Sequence, residues 1–133
     1  MIILSFDYGT KNIGLAIAET NLNYSVPIKS VIHDKKNIFW NKIDEIINYW
    51  NPKYIIIGYP YKIKKKINKK IKKFSYLLKT KYNKNIFLYN ENYSTKEAEF
   101  FSNSYIKKKN NSYCIHSIAA KIILDSWLNN NFH

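Results

Sequence analysis

A chain of 133 residues, 46% hydrophobic and 17% aromatic, carries enough apolar material for one packed domain, residues 1–133, and is not the composition of a disordered protein. Its 22 basic residues are all lysines and face only nine acids, a net charge of +13 that directs attention to polyanionic partners. No apolar run reaches the length of a membrane span, no basic segment precedes the first apolar run, and the single Cys114 excludes an intrachain disulfide, so a reducing, cytoplasmic setting is expected.

The first apolar run, Ile2 to Phe6, reads as a buried strand over 2–7 that ends on Asp7. A carboxylate at the end of a buried strand needs a cation or strong donors to stay charged. Gly9, two residues on, allows the backbone a positive φ or a close approach by a ligand. Asp as an ordinary turn former is the plainer alternative. A second strand over 13–19 then makes a hairpin with the first, and a third is expected near 26–32. Phe39, Ile43, Ile46, Ile47 and Trp50 recur at helical spacing and predict a helix over 38–50, stopped by Asn51-Pro52. Tyr54 to Gly58 reads as a fully buried strand. Ile63, Ile67, Ile71, Phe74 and Leu78 predict an amphipathic helix over 62–80 with lysines on the opposite face. Eight lysines lie between Lys62 and Lys73. They read either as a nucleic-acid surface or as AT-rich coding bias written onto a solvated face. Ile86 to Tyr89 is the fifth strand. Ser94 and Glu97 form a capping box for a further helix, residues 107–112 read as a loop, and a last helix is expected over 113–128. Three successive strands followed by alternating helices and strands predict an α/β fold. Strands 1–3 form an antiparallel meander, and helical crossovers lead to strands 4 and 5.

Four blocks in this order resemble the YqgF (RuvX) family of the RNase H-like superfamily. They are Phe6 to Gly14, Ile56 to Pro60, Asn90 to Thr95, and Ile115 to Ala120 with Ile122 to Leu124. The Asp-x-Gly-Thr block alone is shared with actin-like sugar kinases and chaperone ATPases, but those need two such domains to enclose a nucleotide. The resemblance implies a nuclease that processes the 5′ end of pre-16S rRNA. A Holliday junction resolvase acting on branched DNA is the alternative. A catalytically weakened RNA-binding protein of ribosome assembly is a further one. Monomer and weak homodimer both stay open.

Nucleases of this fold hold a divalent metal, here Mg²⁺ or Mn²⁺, between carboxylates at strand ends. Asp44, Glu45, Glu97, Glu99 and Asp125 fall on helices, and Glu19 and Asp34 flank strands. Asp7 and Glu91 remain at the ends of core strands as metal ligands. His116 stands where family members commonly carry Asp. It is expected to be the third ligand, better suited to Mn²⁺ than to Mg²⁺, or the base for the attacking water. Asn90 and Asn92 also replace an Asp and an Arg common in the family. Gly9, Thr10 and Lys11 are expected to cradle a phosphate, and Lys62, Lys64, Lys65, Lys66 and Lys69 to hold nucleic acid. His33 carries no signal.

Overall fold

The computed structural model describes residues 1–22, 24–33, 38, 40–61, 66–90 and 115–131. The elements within them are β1 (Ile2–Tyr8), β2 (Asn12–Glu19), β3 (Ser25–Ile32), α1 (Trp40–Trp50), β4 (Tyr54–Tyr59), α2 (Lys66–Tyr82), β5 (Asn85–Asn90) and α3 (Ile115–Asn131). All five expected strands are present. Three expected helices are present too, the last running three residues further than the sequence suggested. The helix expected after Ser94, the loop at 107–112 and Cys114 lie outside the described residues. No described helix is long and apolar enough to cross a membrane.

The strands form one sheet in the order β3-β2-β1-β4-β5. β1, β2 and β3 pair antiparallel; β4 joins β1, and β5 joins β4, in parallel. Short turns suffice for the antiparallel pairs, whereas each parallel step needs a crossover. α1 makes the first and α2 the second. Pro27 pairs with Ala16 in β3, a strand at the end of the order, where a missing N–H breaks no second ladder. Asn51 and Asn83 follow α1 and α2 directly and take φ of 45° and 52°. Their N–H groups close the helices onto Ile47 and Lys79 carbonyls, the left-handed stop for which Asn is among the few suitable residues.

Alternation along β1 divides the core. Leu4 and Phe6 point to the face covered by α1 and α2, beside Ile43, Ile47, Ile71, Phe74 and Leu78. Ile3 points to the other face, beside Ala120, Ile123, Leu124 and Trp127 of α3. Each such fully buried side chain stabilises the fold by roughly 1.5–3 kcal/mol. Of the stripe that helical spacing predicts for α3, residues Ile115, Ile118, Ala119, Ile122 and Ile123, only Ile118, Ala119 and Ile123 are buried. Ile115 and Ile122 are half-buried, while Ser117, Ala120, Trp127 and Leu128 are buried. This helix is apolar around most of its circumference, so periodicity alone does not select a face. Its small residues decide the matter, because they let the helix lie close to the sheet. Asp125, which helical spacing puts on the face away from that stripe, accepts hydrogen bonds from the Ser25 N–H and hydroxyl at 3.0 and 2.6 Å, and Lys121 reaches its other oxygen at 2.6 Å. It ties the start of β3 to α3.

Candidate active site

Two periods that nearly match build the site. Two residues of a strand advance about 6.6–6.8 Å, and four residues of a helix about 6 Å. β1 turns Ile3, Ser5 and Asp7 towards α3, which presents Leu124, Ala120 and His116 at four-residue intervals. The Ser5 hydroxyl donates to the Ala120 carbonyl at 2.8 Å, and His116 Nδ1 lies 2.6 Å from Asp7 Oδ2. Asp7 is 3% exposed and is the only buried acid among the described residues. Its partner imidazole is about one-third open to solvent. The hydrogen bond to Asp7 raises the His116 pKa above the ordinary imidazole value, and the carboxylate charge adds to it; burial pulls in the opposite direction without prevailing.

Two glycines make this approach possible. A methyl group added at Gly9 would come within 2.6 Å of His116 Nε2 and 2.4 Å of the Asn12 carbonyl oxygen. One added at Gly14 would sit 1.9 Å from the main-chain carbonyl carbon of His116. Neither glycine has a positive φ; both are required by proximity. Beside Gly14 the β2–β3 register shifts, with one residue between Ile13 and Leu15 facing two between Ile28 and Val31. Ser117 enters this gap. Its hydroxyl accepts the Leu15 N–H at 3.2 Å and donates to the Ile28 carbonyl at 2.7 Å. The first turn of α3 is thereby bonded into the ladder, and His116 is held one residue away. Neither Ser117 nor its role stood out in the sequence, since its partners lie 102 and 89 positions away.

The turn between β1 and β2 closes with the Gly9 N–H on the Asn12 carbonyl at 2.9 Å. Gly9 is buried, and Thr10 and Lys11 are exposed. His33 lacked a signal in the sequence, yet its Nε2 donates to the Gly9 carbonyl at 2.8 Å, and its ring stands edge-on to Tyr8. It braces the turn from β3. Lys66 and Lys69 are exposed on α2. Glu91, Lys62, Lys64 and Lys65 lie outside the described residues. Asn90, exposed at the end of β5, pairs in register with Tyr59 of β4.

The other described acids have structural partners. Glu19 meets the Met1 amine, Asp44 accepts from the Tyr82 hydroxyl, Glu45 pairs with Lys42 at 3.6 Å, and Asp125 holds Ser25. Among the described residues no three His, Cys, Asp or Glu side chains converge. Asp7 and His116 bring one oxygen and one nitrogen donor together. That half-site suits a divalent cation that accepts mixed ligands, provided a further donor joins it.

Comparison with known proteins gives this geometry a family. A family model described as "RuvX: Holliday junction resolvase" matches residues 1–130. A protein of Buchnera aphidicola subsp. Cinara cedri, provisionally named a pre-16S rRNA nuclease, is 66% identical over 98% of this chain and 99% of its own length. One from Wigglesworthia glossinidia brevipalpis with the same name is 40% identical, covering 96% of this chain and 92% of its own. Among solved structures, the fowlpox virus resolvase in complex with Holliday junction DNA superposes with a TM-score of 0.62 at 18% identity, covering all of both chains. RuvC of T. thermophilus, in complex with a Holliday junction substrate, superposes with a TM-score of 0.59 at 10% identity, over 98% and 94%. These likenesses identify the fold as the RNase H-like one expected from the sequence. With the match spanning almost the whole chain, the protein belongs to the RuvX family.

Proposed function

We propose that the protein is a metal-dependent nuclease that matures the 5′ end of pre-16S rRNA in the cytoplasm, hydrolysing a phosphodiester at Asp7. The observation that carries this reading is the buried carboxylate of Asp7 held 2.6 Å from His116. A fold stabilised by packing alone does not need a charged pair there, and a buried pair is weak support for stability. The names of the full-length relatives supply the substrate.

Asp7, His116 and Glu91 would hold the divalent ion, Mn²⁺ in preference to Mg²⁺ because one donor is an imidazole. When bound, such an ion supplies Lewis-acid stabilisation of charge on the phosphate oxygens. The chain's own residues do the rest. With Nδ1–H donated to Asp7, the neutral imidazole has one lone pair left, on Nε2: it binds the ion, or, where His116 is not a ligand, it accepts a proton from water. Asp7 fixes that tautomer and favours the imidazolium that results. Thr10 and Lys11, exposed on the adjoining turn, meet the phosphate with a hydroxyl and an ammonium.

The test is cleavage of a labelled pre-16S 5′ leader RNA with Mg²⁺ and with Mn²⁺, comparing wild type with Asp7→Asn. Metal-dependent cleavage that disappears in the variant is expected. Binding with no cleavage under either ion would refute the nuclease and favour an RNA-binding role in ribosome assembly. The family description favours one other reading, a junction resolvase. Resolution needs two active sites related by two-fold symmetry. A monomeric mass in solution together with intact four-way DNA junctions after incubation would dismiss it.

A further inference from the structure

On the face of the sheet opposite Asp7, a groove of about 650 Å³ opens beside the same turn. Its lining includes Tyr8, Thr10, His33, Trp40, Lys70 and Lys73. The rings rest on one another. Phe74, fully buried, lies 5.3 Å from Tyr8 and 5.7 Å from Trp40 between centroids, and His33 closes on Tyr8 at 5.4 Å. Tyr8 and Trp40 are only half-buried and line the groove, with Lys81 Nζ over the Trp40 ring at 4.8 Å from its centroid. Lys70 and Lys73 are exposed and follow Lys66 at four- and three-residue steps along one flank of α2, which places the cations on the rim of an aromatic wall. Among the described residues no Asp or Glu lines it. The volume falls within the range of small-molecule pockets, about 300–1,000 Å³.

We propose that this groove holds an unpaired nucleotide of single-stranded RNA adjoining the phosphodiester at Asp7. The inference rests on the nuclease reading and adds the form of the substrate. Aromatic walls accept any base by stacking, and lysines at their rim accept the phosphates between bases. A base in a duplex has both faces covered by its neighbours and cannot enter. Tyr8 follows Asp7 directly, and Thr10 lies in the turn between the two faces. A strand cut at Asp7 therefore reaches the groove by passing over residues 9–11. The substrate is an RNA that is single-stranded beside the cut.

The test measures anisotropy of a labelled ten-nucleotide single-stranded RNA, its DNA counterpart and a short duplex RNA, in chelator and across a salt series. Lys70→Gln with Lys73→Gln is compared with Lys53→Gln plus Lys84→Gln, which removes the same charge before β4 and β5, at the other end of those strands. Each lost contact with a single strand lowers the salt slope by about 0.7, so the groove pair is expected to lower it by about 1.4 and the control pair by almost nothing. Tyr8→Leu is expected to weaken RNA binding roughly ten-fold with the slope unchanged. Circular dichroism confirms that each variant is folded. Equal losses in the groove and control pairs, equal losses on duplex and single strand, or a loss confined to DNA would each overturn the proposal. Chelator keeps the RNA intact, so a protein that binds in the groove but never cuts would refute the nuclease and leave the groove standing.

Discussion

The imidazole of His116 and the carboxylate of Asp7 form a pair whose two members differ in exposure, and this difference governs how the pair responds to pH. Asp7 is nearly sealed from water, whereas about a third of the imidazole is open. In the metal-free protein the bond to Asp7 lifts the pKa of His116 above its unfolded value. A group raised on folding contributes stability that is complete below its unfolded pKa and is lost as pH rises through the folded one. The difference in melting temperature between wild type and His116→Gln, measured in chelator, should therefore be largest on the acid side of the ordinary imidazole value. It should shrink through neutrality. A difference that grew with pH would mean that the imidazole is held neutral and that the pairing is not ionic. The sequence exposed only part of this pair. Asp7 is legible because its chemistry is local: an acid ending an apolar strand, with glycine two residues on. That His116 meets it across 109 positions followed from family resemblance and not from spacing. His33 was illegible because it binds a main-chain carbonyl, and any turn-bracing donor would look the same in sequence.

At the level of elements, the site depends on how closely α3 lies against β2. The Gly14 position leaves no room for a side chain, since the obstacle is the backbone of His116 and not a movable side-chain end. Gly14→Ala must push the start of α3 outward, and its cost belongs at the upper end of the roughly 1–3 kcal/mol typical of overpacking, or beyond it. Ser117→Ala acts differently. It leaves the Leu15 N–H and the Ile28 carbonyl without the hydroxyl that joins them, a loss of about 1–3 kcal/mol. Urea denaturation of both variants checks these magnitudes. A Ser117→Ala protein as stable as wild type would show that the β2–β3 ladder closes without the hydroxyl. The strands were legible because each is a short apolar run bounded by turn residues, and the crossovers because helices lie between parallel strands. The face of α3 was legible only in part, and the duty of Asp125 not at all. An apolar helix has no sidedness until the small residues of Gly14, Ala16 and Ala18 give it a place to lie close.

For the whole molecule, a net charge of +13 sets stability against binding. Self-repulsion destabilises a compact state and is screened by salt over a Debye length of about 10 Å at 0.1 M, while RNA binding weakens as salt rises. Melting temperature should therefore climb, and RNA affinity fall, over the same salt range. The conflict is concentrated in α2. Its first turn contains no acid and begins with Lys66, followed by Lys69 and Lys70, so cations crowd the positive end of the helix dipole. Lys66→Glu reverses this. A carboxylate there gains about 0.3–1 kcal/mol from the dipole and about 0.2–0.5 kcal/mol from pairing with Lys70 four residues on. Together these should raise the melting temperature by roughly 2–7 °C. The composition alone left two readings of the lysines, a nucleic-acid surface or coding bias, because a count of charges is blind to helical phase. This one substitution separates them. If Lys66 meets RNA, the stabilised variant should bind a single strand more weakly and with a flatter salt slope. If the lysine only records composition, the protein should gain stability and the slope should stay where it was.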